Sequence, residues 1–188
     1  MPFNLEDMIK EGVATMFFCW VCMAEGNFTA ALGLAACMNA FGASMNPAAN
    51  FQQFARGKFA DLEGFALSTL YQLVGAGCAN YLAPKVGLSA TALPAGFNDF
   101  SQGAFVKEVV GTMFFLAAFN AADGATNKGF ALMAATLVFE CTANPAVTFS
   151  RIGFSEIGKN AEGFLFMFSA QCFGAFLANM SDEKLKKD

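Results

Sequence analysis

The chain has 188 residues, of which 56% are hydrophobic and only 14% are charged, and its formal net charge is −4. In a soluble domain about a quarter of the residues are charged, so this composition indicates a membrane protein. The chain is acidic and has no basic stretch, which argues against nucleic-acid binding. It also has no histidine, no nucleophile–base pair and no phosphate-binding loop, which argues against an enzyme, a cofactor or a metal site.

Charged residues are missing from six stretches, and a membrane-spanning helix needs roughly 20 mainly apolar residues. We therefore predict an all-α integral membrane protein with spans at about 5–24, 27–42, 62–83, 104–121, 129–142 and 161–180. The first span carries acidic residues, which excludes a cleavable signal peptide. The six cysteines lie within or beside these spans and are interpreted as small hydrophobic residues.

The second and fifth spans are short, and each is followed directly by Asn-Pro-Ala, at Asn46-Pro47-Ala48 and at Asn144-Pro145-Ala146. Asparagine is a preferred N-cap residue and proline is favoured at the first helical position, so each tripeptide predicts the start of a helix. Two half-helices that begin inside the membrane would direct their positive ends and their asparagine amides at one point. Such a point favours a neutral, hydrogen-bonding solute and disfavours cations and protons.

The two halves of the chain are similar to each other. Three matching segments occur in the same order: Glu11–Thr15 with Glu108–Thr112, Asn46–Ala48 with Asn144–Ala146, and Gln72–Ala76 with Gln171–Ala175. With three spans in each half, the second half enters the membrane from the opposite side, which makes an inverted repeat. The predicted division is a first repeat at 1–84, a connecting loop at 85–102, a second repeat at 103–180 and a polar tail at 181–188.

Together the two Asn-Pro-Ala motifs, the Glu-x-x-(Gly/Ala)-Thr pattern and Gln-x-x-Gly-Ala resemble the aquaporin, or major intrinsic protein, family over nearly the whole chain. The resemblance implies six transmembrane helices plus two re-entrant half-helices, one pore in each subunit, and usually a homotetramer. It implies passive conduction of water or small neutral solutes such as glycerol. It also implies that Glu11 and Glu108 support the segments that carry the motifs.

The family's selectivity filter usually has an arginine directly after the second motif, whereas this chain has Val147. By the resemblance, the other filter positions fall on Leu132, on Cys141 and on Phe28 or Gly26. This filter would be apolar, and either wide and unselective or closed by dewetting. The segments before both motifs are also shorter than in typical members, with 34 residues between Glu11 and Asn46.

Two charged residues flank the second motif. Glu140 precedes Asn144 by four residues, and Arg151 follows Val147 by four, so Arg151 lies one helical turn further on the same face. One hypothesis is that Glu140 and Arg151 approach each other at the outer mouth and that Arg151 partly replaces the missing filter arginine. The alternative is that Arg151 extends to the surface and Glu140 bonds backbone donors.

The sequence is compatible with two functions that belong to different classes of protein. The first is a passive channel for water, glycerol-like solutes or both. The second is a non-conducting structural subunit with a closed apolar pore, which belongs to a larger membrane complex. With both termini in the cytoplasm, seven lysines and arginines would face the cytoplasm and four would face outward, which favours this orientation. The seven cytoplasmic residues are Lys10, Arg56, Lys58, Lys128, Lys184, Lys186 and Lys187.

Overall fold

The computed structural model describes residues 4–24, 26–58, 62–89, 92–94 and 97–185, and these form an all-helical arrangement. The α-helices are α1 (Leu5–Met23), α2 (Asn27–Phe41), α3 (Pro47–Ala55), α4 (Leu62–Leu82), α5 (Gln102–Ala121), α6 (Gly124–Phe139) and α7 (Pro145–Leu185). A 3₁₀ turn at Ala83–Val86 follows α4. Parts of the connecting loop and of the polar tail, including Lys186 and Lys187, lie outside the described residues.

Local sequence signals explain where several helices begin and end. Asn4 caps α1, because its side-chain oxygen accepts a hydrogen bond from the Asp7 backbone N–H at 2.8 Å. Gly42 ends α2 in the left-handed conformation, with φ of 65°, where a residue without Cβ fits best. Gly153, with φ of 71° and ψ of 176°, interrupts α7 and separates its first two turns from the long remainder.

The predicted spans agree with α1, α2, α4 and α5 to within about two residues at each end. The other two spans differ more, at their ends (139 rather than 142, and 185 rather than 180) and above all at their starts. Helix α6 starts at Gly124 rather than 129, because Lys128 lies within the helix above an aromatic ring instead of ending it. Helix α7 resumes directly after Gly153, whereas the prediction began the last span at 161; Glu156 and Lys159, which suggested a loop, form an exposed ion pair on the helix at 3.0 Å.

Two of the described helices are long and apolar enough to cross a bilayer by themselves, namely Gln102–Ala121 and the part of α7 at Pro145–Ser181. Helix α2 is apolar but shorter. Crossing of the membrane by the other predicted spans therefore stays a prediction.

Corresponding helices of the two halves pack in corresponding ways. Helix α1 packs against α4 and α5 against α7, while α2 packs against α6 and α3 against α7. Gly75 on α4 lies against the backbone carbonyl of Gly12, and Gly174 on α7 lies against that of Val109, so closely that a Cβ at either glycine would overlap the neighbouring backbone. At both places the absence of a side chain lets two helices cross closely.

Candidate functional site at the paired Asn-Pro-Ala motifs

Each Asn-Pro-Ala tripeptide starts a helix through the same hydrogen bond. The Asn46 side-chain oxygen accepts from the Ala48 backbone N–H at 2.9 Å, and Pro47 is the first helical residue of α3. The Asn144 side-chain oxygen accepts from the Ala146 backbone N–H at 2.9 Å, and α7 begins at Pro145. Both asparagines are 3% exposed. The two helix N-termini are therefore capped inside the protein rather than at its surface.

The two motifs contact each other directly. Asn46 Nδ2 donates to the Ala143 carbonyl at 3.0 Å, and Asn144 Nδ2 donates to the Met45 carbonyl at 2.9 Å. Since an amide NH₂ has two hydrogens, each asparagine retains one N–H after this exchange. The reciprocal pair fixes the two helix ends face to face, with one donor of each side chain not engaged by the other motif.

The residues that precede the asparagines share an unusual backbone conformation. Met45 has φ of 53° and Ala143 has φ of 51°, in the left-handed region that residues with a Cβ rarely adopt. This conformation turns the carbonyl groups of both residues toward the opposite motif. It also leaves their N–H groups to be satisfied by side chains, because the extended segments at 42–46 and 140–144 form no helix.

Glu11 provides acceptors for the first extended segment. Its carboxylate accepts from the backbone N–H groups of Ser44 at 2.7 Å and of Met45 at 3.0 Å, and from Gln72 Nε2 at 2.8 Å. The Ser44 hydroxyl in turn donates to Asn50 Oδ1 at 2.6 Å. A buried carboxylate with three donors is well satisfied, so α1 and α4 hold this segment together.

Glu108 has the same role in the second half. Its carboxylate accepts from the backbone N–H groups of Thr142 at 2.7 Å and of Ala143 at 3.1 Å, and from Gln171 Nε2 at 2.9 Å. The Thr142 hydroxyl lies 3.1 Å from the Thr148 hydroxyl. Gln171 Oε1, however, is buried and has no hydrogen-bond partner within the described part of the chain, whereas Gln72 Oε1 accepts from Asn50 at 3.1 Å.

A cavity of about 10 Å³ lies between the two motifs, and we call it the asparagine cavity. Its lining consists of Phe18, Leu34, Ser44, Asn46, Ala49, Phe115, Phe119, Leu132 and Asn144. About 10–15 Å³ is the space that one water molecule requires. The asparagine cavity therefore has room for about one water molecule, between two amide groups and otherwise mostly apolar walls.

Two larger cavities adjoin this passage. The Arg151 cavity, of about 540 Å³, shares Phe18 and Leu132 with the asparagine cavity and is also lined by Asn27, Thr136 and Arg151. The Lys10 cavity, of about 290 Å³, shares Ser44 with the asparagine cavity and is lined by Asp7, Lys10, Glu11, Asn50 and Lys58 among others. Because they share wall residues, each of the two larger cavities is a neighbour of the asparagine cavity.

Three of the four filter candidates line the Arg151 cavity together, namely Leu132, Cys141 and Val147, which are 4%, 6% and 6% exposed. Phe28 does not line it and is 56% exposed, so the structure does not bring Phe28 together with the other three. The chain enters α2 at Gly26, and Gly26 is the alternative candidate that does line the cavity. Phe28 lies on the outer side of this first turn of α2.

Glu140 and Arg151 both line the Arg151 cavity, but Glu140 pairs with a different residue from the one predicted. Its carboxylate lies 2.5 Å from Lys107 Nζ on α5, in an exposed ion pair. Glu140 ends α6 with φ of 51°, and because α5 packs against α6 the side chain reaches the nearer lysine. Arg151 Nη1 instead donates to the Ala92 carbonyl at 3.1 Å, while its buried Nε has no partner among the residues described.

Sequence reasoning missed the polar residues that link the glutamates to the motifs. Ser44 and Asn50 in the first half correspond to Thr142 and Thr148 in the second, each pair 98 residues apart as the motifs are. These polar residues recur at the same spacing as the two motifs, and this recurrence could have identified them from the sequence. The left-handed conformation of Met45 and Ala143 had no such signal, because neither residue type favours it.

Comparison with known proteins gives a fold but no sequence family. No family model matches the chain, and no curated protein sequence matches it. Among solved structures, the X-ray structure of the aquaglyceroporin from Plasmodium falciparum superposes with a TM-score of 0.69, covering 94% of both chains at 16% sequence identity. A likeness over nearly the full length of both chains at this identity shows a shared fold, and the chain therefore has the aquaporin-like fold.

Proposed function

We propose that the protein is a passive membrane channel for water, small neutral solutes such as glycerol, or both. The observation that supports this most directly is the run of three adjoining cavities with the asparagine cavity in the middle. A pore needs two wide entrances and one narrow passage that selects, and this succession has that form. The solved aquaglyceroporin with the same fold adds glycerol-like solutes to water as candidates.

In this proposal the chain is an integral membrane protein with six spans and two re-entrant half-helices. Residues 1–84 form the first repeat and 103–180 form the second, inverted repeat. The matching pairs of helices, α1 with α4 and α5 with α7, support this division. Both termini face the cytoplasm, and the chain assembles as a homotetramer in the lipid bilayer.

Exclusion of cations and protons follows from the helix ends at the asparagine cavity. The N-termini of α3 and α7 carry partial positive charge, and they oppose each other across Asn46 and Asn144. The N–H that each asparagine retains binds a passing water by its oxygen. A water held by two donors cannot pass a proton to both neighbours, and a cation meets two positive ends.

Selection among neutral solutes takes place in the Arg151 cavity. Leu132, Cys141 and Val147 supply an apolar part of its wall, and Arg151 lies one turn beyond Val147. The guanidinium at this point supplies the donors and the positive charge that a valine after the motif cannot. Arg151 thus acts as the filter arginine from a position displaced along the helix.

A specific observation favours the alternative, a non-conducting structural subunit. The asparagine cavity has room for a single water, and Phe18, Leu34, Phe115 and Phe119 make much of its wall apolar. Narrow apolar passages can exclude water altogether. A closed pore of this kind would leave the fold as a building block of a larger membrane complex.

Stopped-flow measurements on proteoliposomes separate the two functions. Vesicles that contain the protein are mixed with hyperosmotic sucrose and then with glycerol, and their shrinkage and re-swelling are compared with protein-free vesicles. A channel shrinks faster than the lipid alone, and a trapped pH dye shows no added proton flux. A well-folded sample that accelerates neither water nor glycerol movement establishes the closed subunit instead.

A further inference from the structure

Lys128 lies on the first turns of α6 and reaches a ring of the proposed passage. Its ammonium lies 4.8 Å from the centre of the Phe119 ring, within the range of a cation–π contact. Phe119 also lines the asparagine cavity. One side of the ring therefore faces a charged residue near the protein's surface, and Phe119 also borders the asparagine cavity.

Among the residues described, Phe115 is the aromatic neighbour of the Phe119 ring. Phe115, one helical turn earlier on α5, contacts it edge to face with ring centres 5.5 Å apart and planes at 67°. Phe115 is 3% exposed and so is held by its surroundings, whereas Phe119 is only half-buried. Phe119 packs against the hydrophobic core, with Phe115 at the edge of its ring and Lys128 over its face.

A small movement of this ring is sufficient to close the passage. The asparagine cavity has about 10 Å³, and a phenyl ring that turned into it would displace the single water it can hold. We propose that Lys128 is a positioning residue for conduction, whose charge holds the Phe119 ring clear of the asparagine cavity. This inference rests on the proposed channel function and adds to it a residue outside the motifs and the filter.

The charge of Lys128 is available for this contact. In the described residues its ammonium forms no ion pair, unlike Lys107 and Lys159, which both have carboxylate partners. A cation–π contact near the surface shifts a two-state side-chain equilibrium by about two- to fivefold. Loss of the charge would therefore leave the ring inside the passage for a substantial fraction of the time.

The test compares Lys128→Met, which retains the aliphatic stem, with Lys128→Arg, which retains the charge. For a ring that lies clear of the cavity about half the time in the wild type, Lys128→Met lowers water permeability in proteoliposomes by about 1.5- to threefold, and Lys128→Arg restores it. The matched control is Lys85→Met, because Lys85 Nζ lies 4.6 Å from the Tyr81 ring in an equivalent contact that borders none of the three cavities. Lys85→Met leaves permeability at the wild-type value.

A double substitution isolates the ring. In a Phe119→Leu background, Lys128→Met has no further effect on permeability. A fluorine label on the ring of residue 119, read by NMR in nanodiscs with the full chain, shifts in Lys128→Met and returns in Lys128→Arg. This signal needs no flux, so it still decides whether Lys128 positions the ring if the wild-type protein does not conduct.

Three outcomes would overturn the inference. They are an unchanged or increased permeability in Lys128→Met, an equal loss in the Phe119→Leu background, and an unchanged fluorine signal. The second would mean that the charge acts on permeating solutes directly rather than through the ring. Failure of wild-type vesicles to conduct would contradict the proposed function alone.

Discussion

Two residues adopt a strained backbone for the sake of one hydrogen-bond exchange. Met45 and Ala143 have φ near 50°, a conformation that costs about 1–2 kcal/mol for a residue with a Cβ. In this conformation the carbonyl of each residue accepts a hydrogen bond from the asparagine of the opposite motif. The carboxylates of Glu11 and Glu108 accept from the N–H groups of Met45 and Ala143, and in this way they maintain the strained conformation in both halves.

This dependence predicts the effect of removing one carboxylate. Glu108→Ala leaves the buried N–H groups of Thr142 and Ala143 unsatisfied, and we expect a loss of about 2–4 kcal/mol in folding free energy. Thermal denaturation in detergent, followed by size-exclusion chromatography, measures it. Glu140→Ala is the control, since its ion pair with Lys107 is exposed and its loss is much smaller. Equal stability of the two variants would contradict a supporting role for Glu108.

Arg151 gives a prediction about selectivity rather than stability. Arg151→Ala removes a bulky cation from the wall of the Arg151 cavity, so the ratio of glycerol to water permeability rises severalfold. The ratio is measured in the same vesicles. Lys159→Ala is the control, because Lys159 pairs with Glu156 at the surface. An unchanged ratio in Arg151→Ala would reject the filter role.

At the level of the helices, the close crossings occur at glycines, where any side chain would meet the neighbouring backbone. A Cβ at Gly75 would overlap the carbonyl of Gly12, which is backbone and cannot change rotamer. Helices α1 and α4 carry Glu11 and Gln72, so their separation also sets the position of the first extended segment. Packing of the pair and geometry of the motif are therefore linked.

Gly75→Ala tests that link. The added methyl group forces α1 and α4 apart, and we expect a destabilisation of about 1–3 kcal/mol together with reduced water permeability. Gly158→Ala on α7 is the control, because nothing lies within 4 Å of a Cβ at that glycine. There the substitution improves helix propensity and leaves the flux unchanged. Normal stability of Gly75→Ala would show that the crossing tolerates more space than the structure indicates.

Most helix boundaries were predictable from the sequence, and the exceptions have a common cause. The predicted spans were extended outward from stretches without charged residues, which works for α1, α2 and α4. It fails for α6 and for the second part of α7, where Lys128 and Glu156 remain within helices by contacting a ring or an exposed partner. A charge-based boundary cannot anticipate side-chain partners that only the folded chain provides.

Across the whole molecule, the repeat made the centre of the site predictable and its periphery less so. The asparagines and Glu11 and Glu108 were found because each occurs twice at nearly constant spacing. Phe28 and the partner of Glu140 depend on which way a single side chain points, and the repeat carries no information on that. The asparagine cavity likewise arises only from the packing of both halves, because residues of both halves line it.

The central claim is that solutes pass between Asn46 and Asn144, and filling the asparagine cavity tests it most directly. Ala49 is 6% exposed and lines this cavity, so Ala49→Leu occupies its roughly 10 Å³. Ala66→Leu, at an exposed position of α4, is the control. In stopped-flow shrinkage of proteoliposomes, we expect wild-type and Ala66→Leu vesicles to conduct water and folded Ala49→Leu to fall to the protein-free rate. Undiminished flux through folded Ala49→Leu would contradict this route.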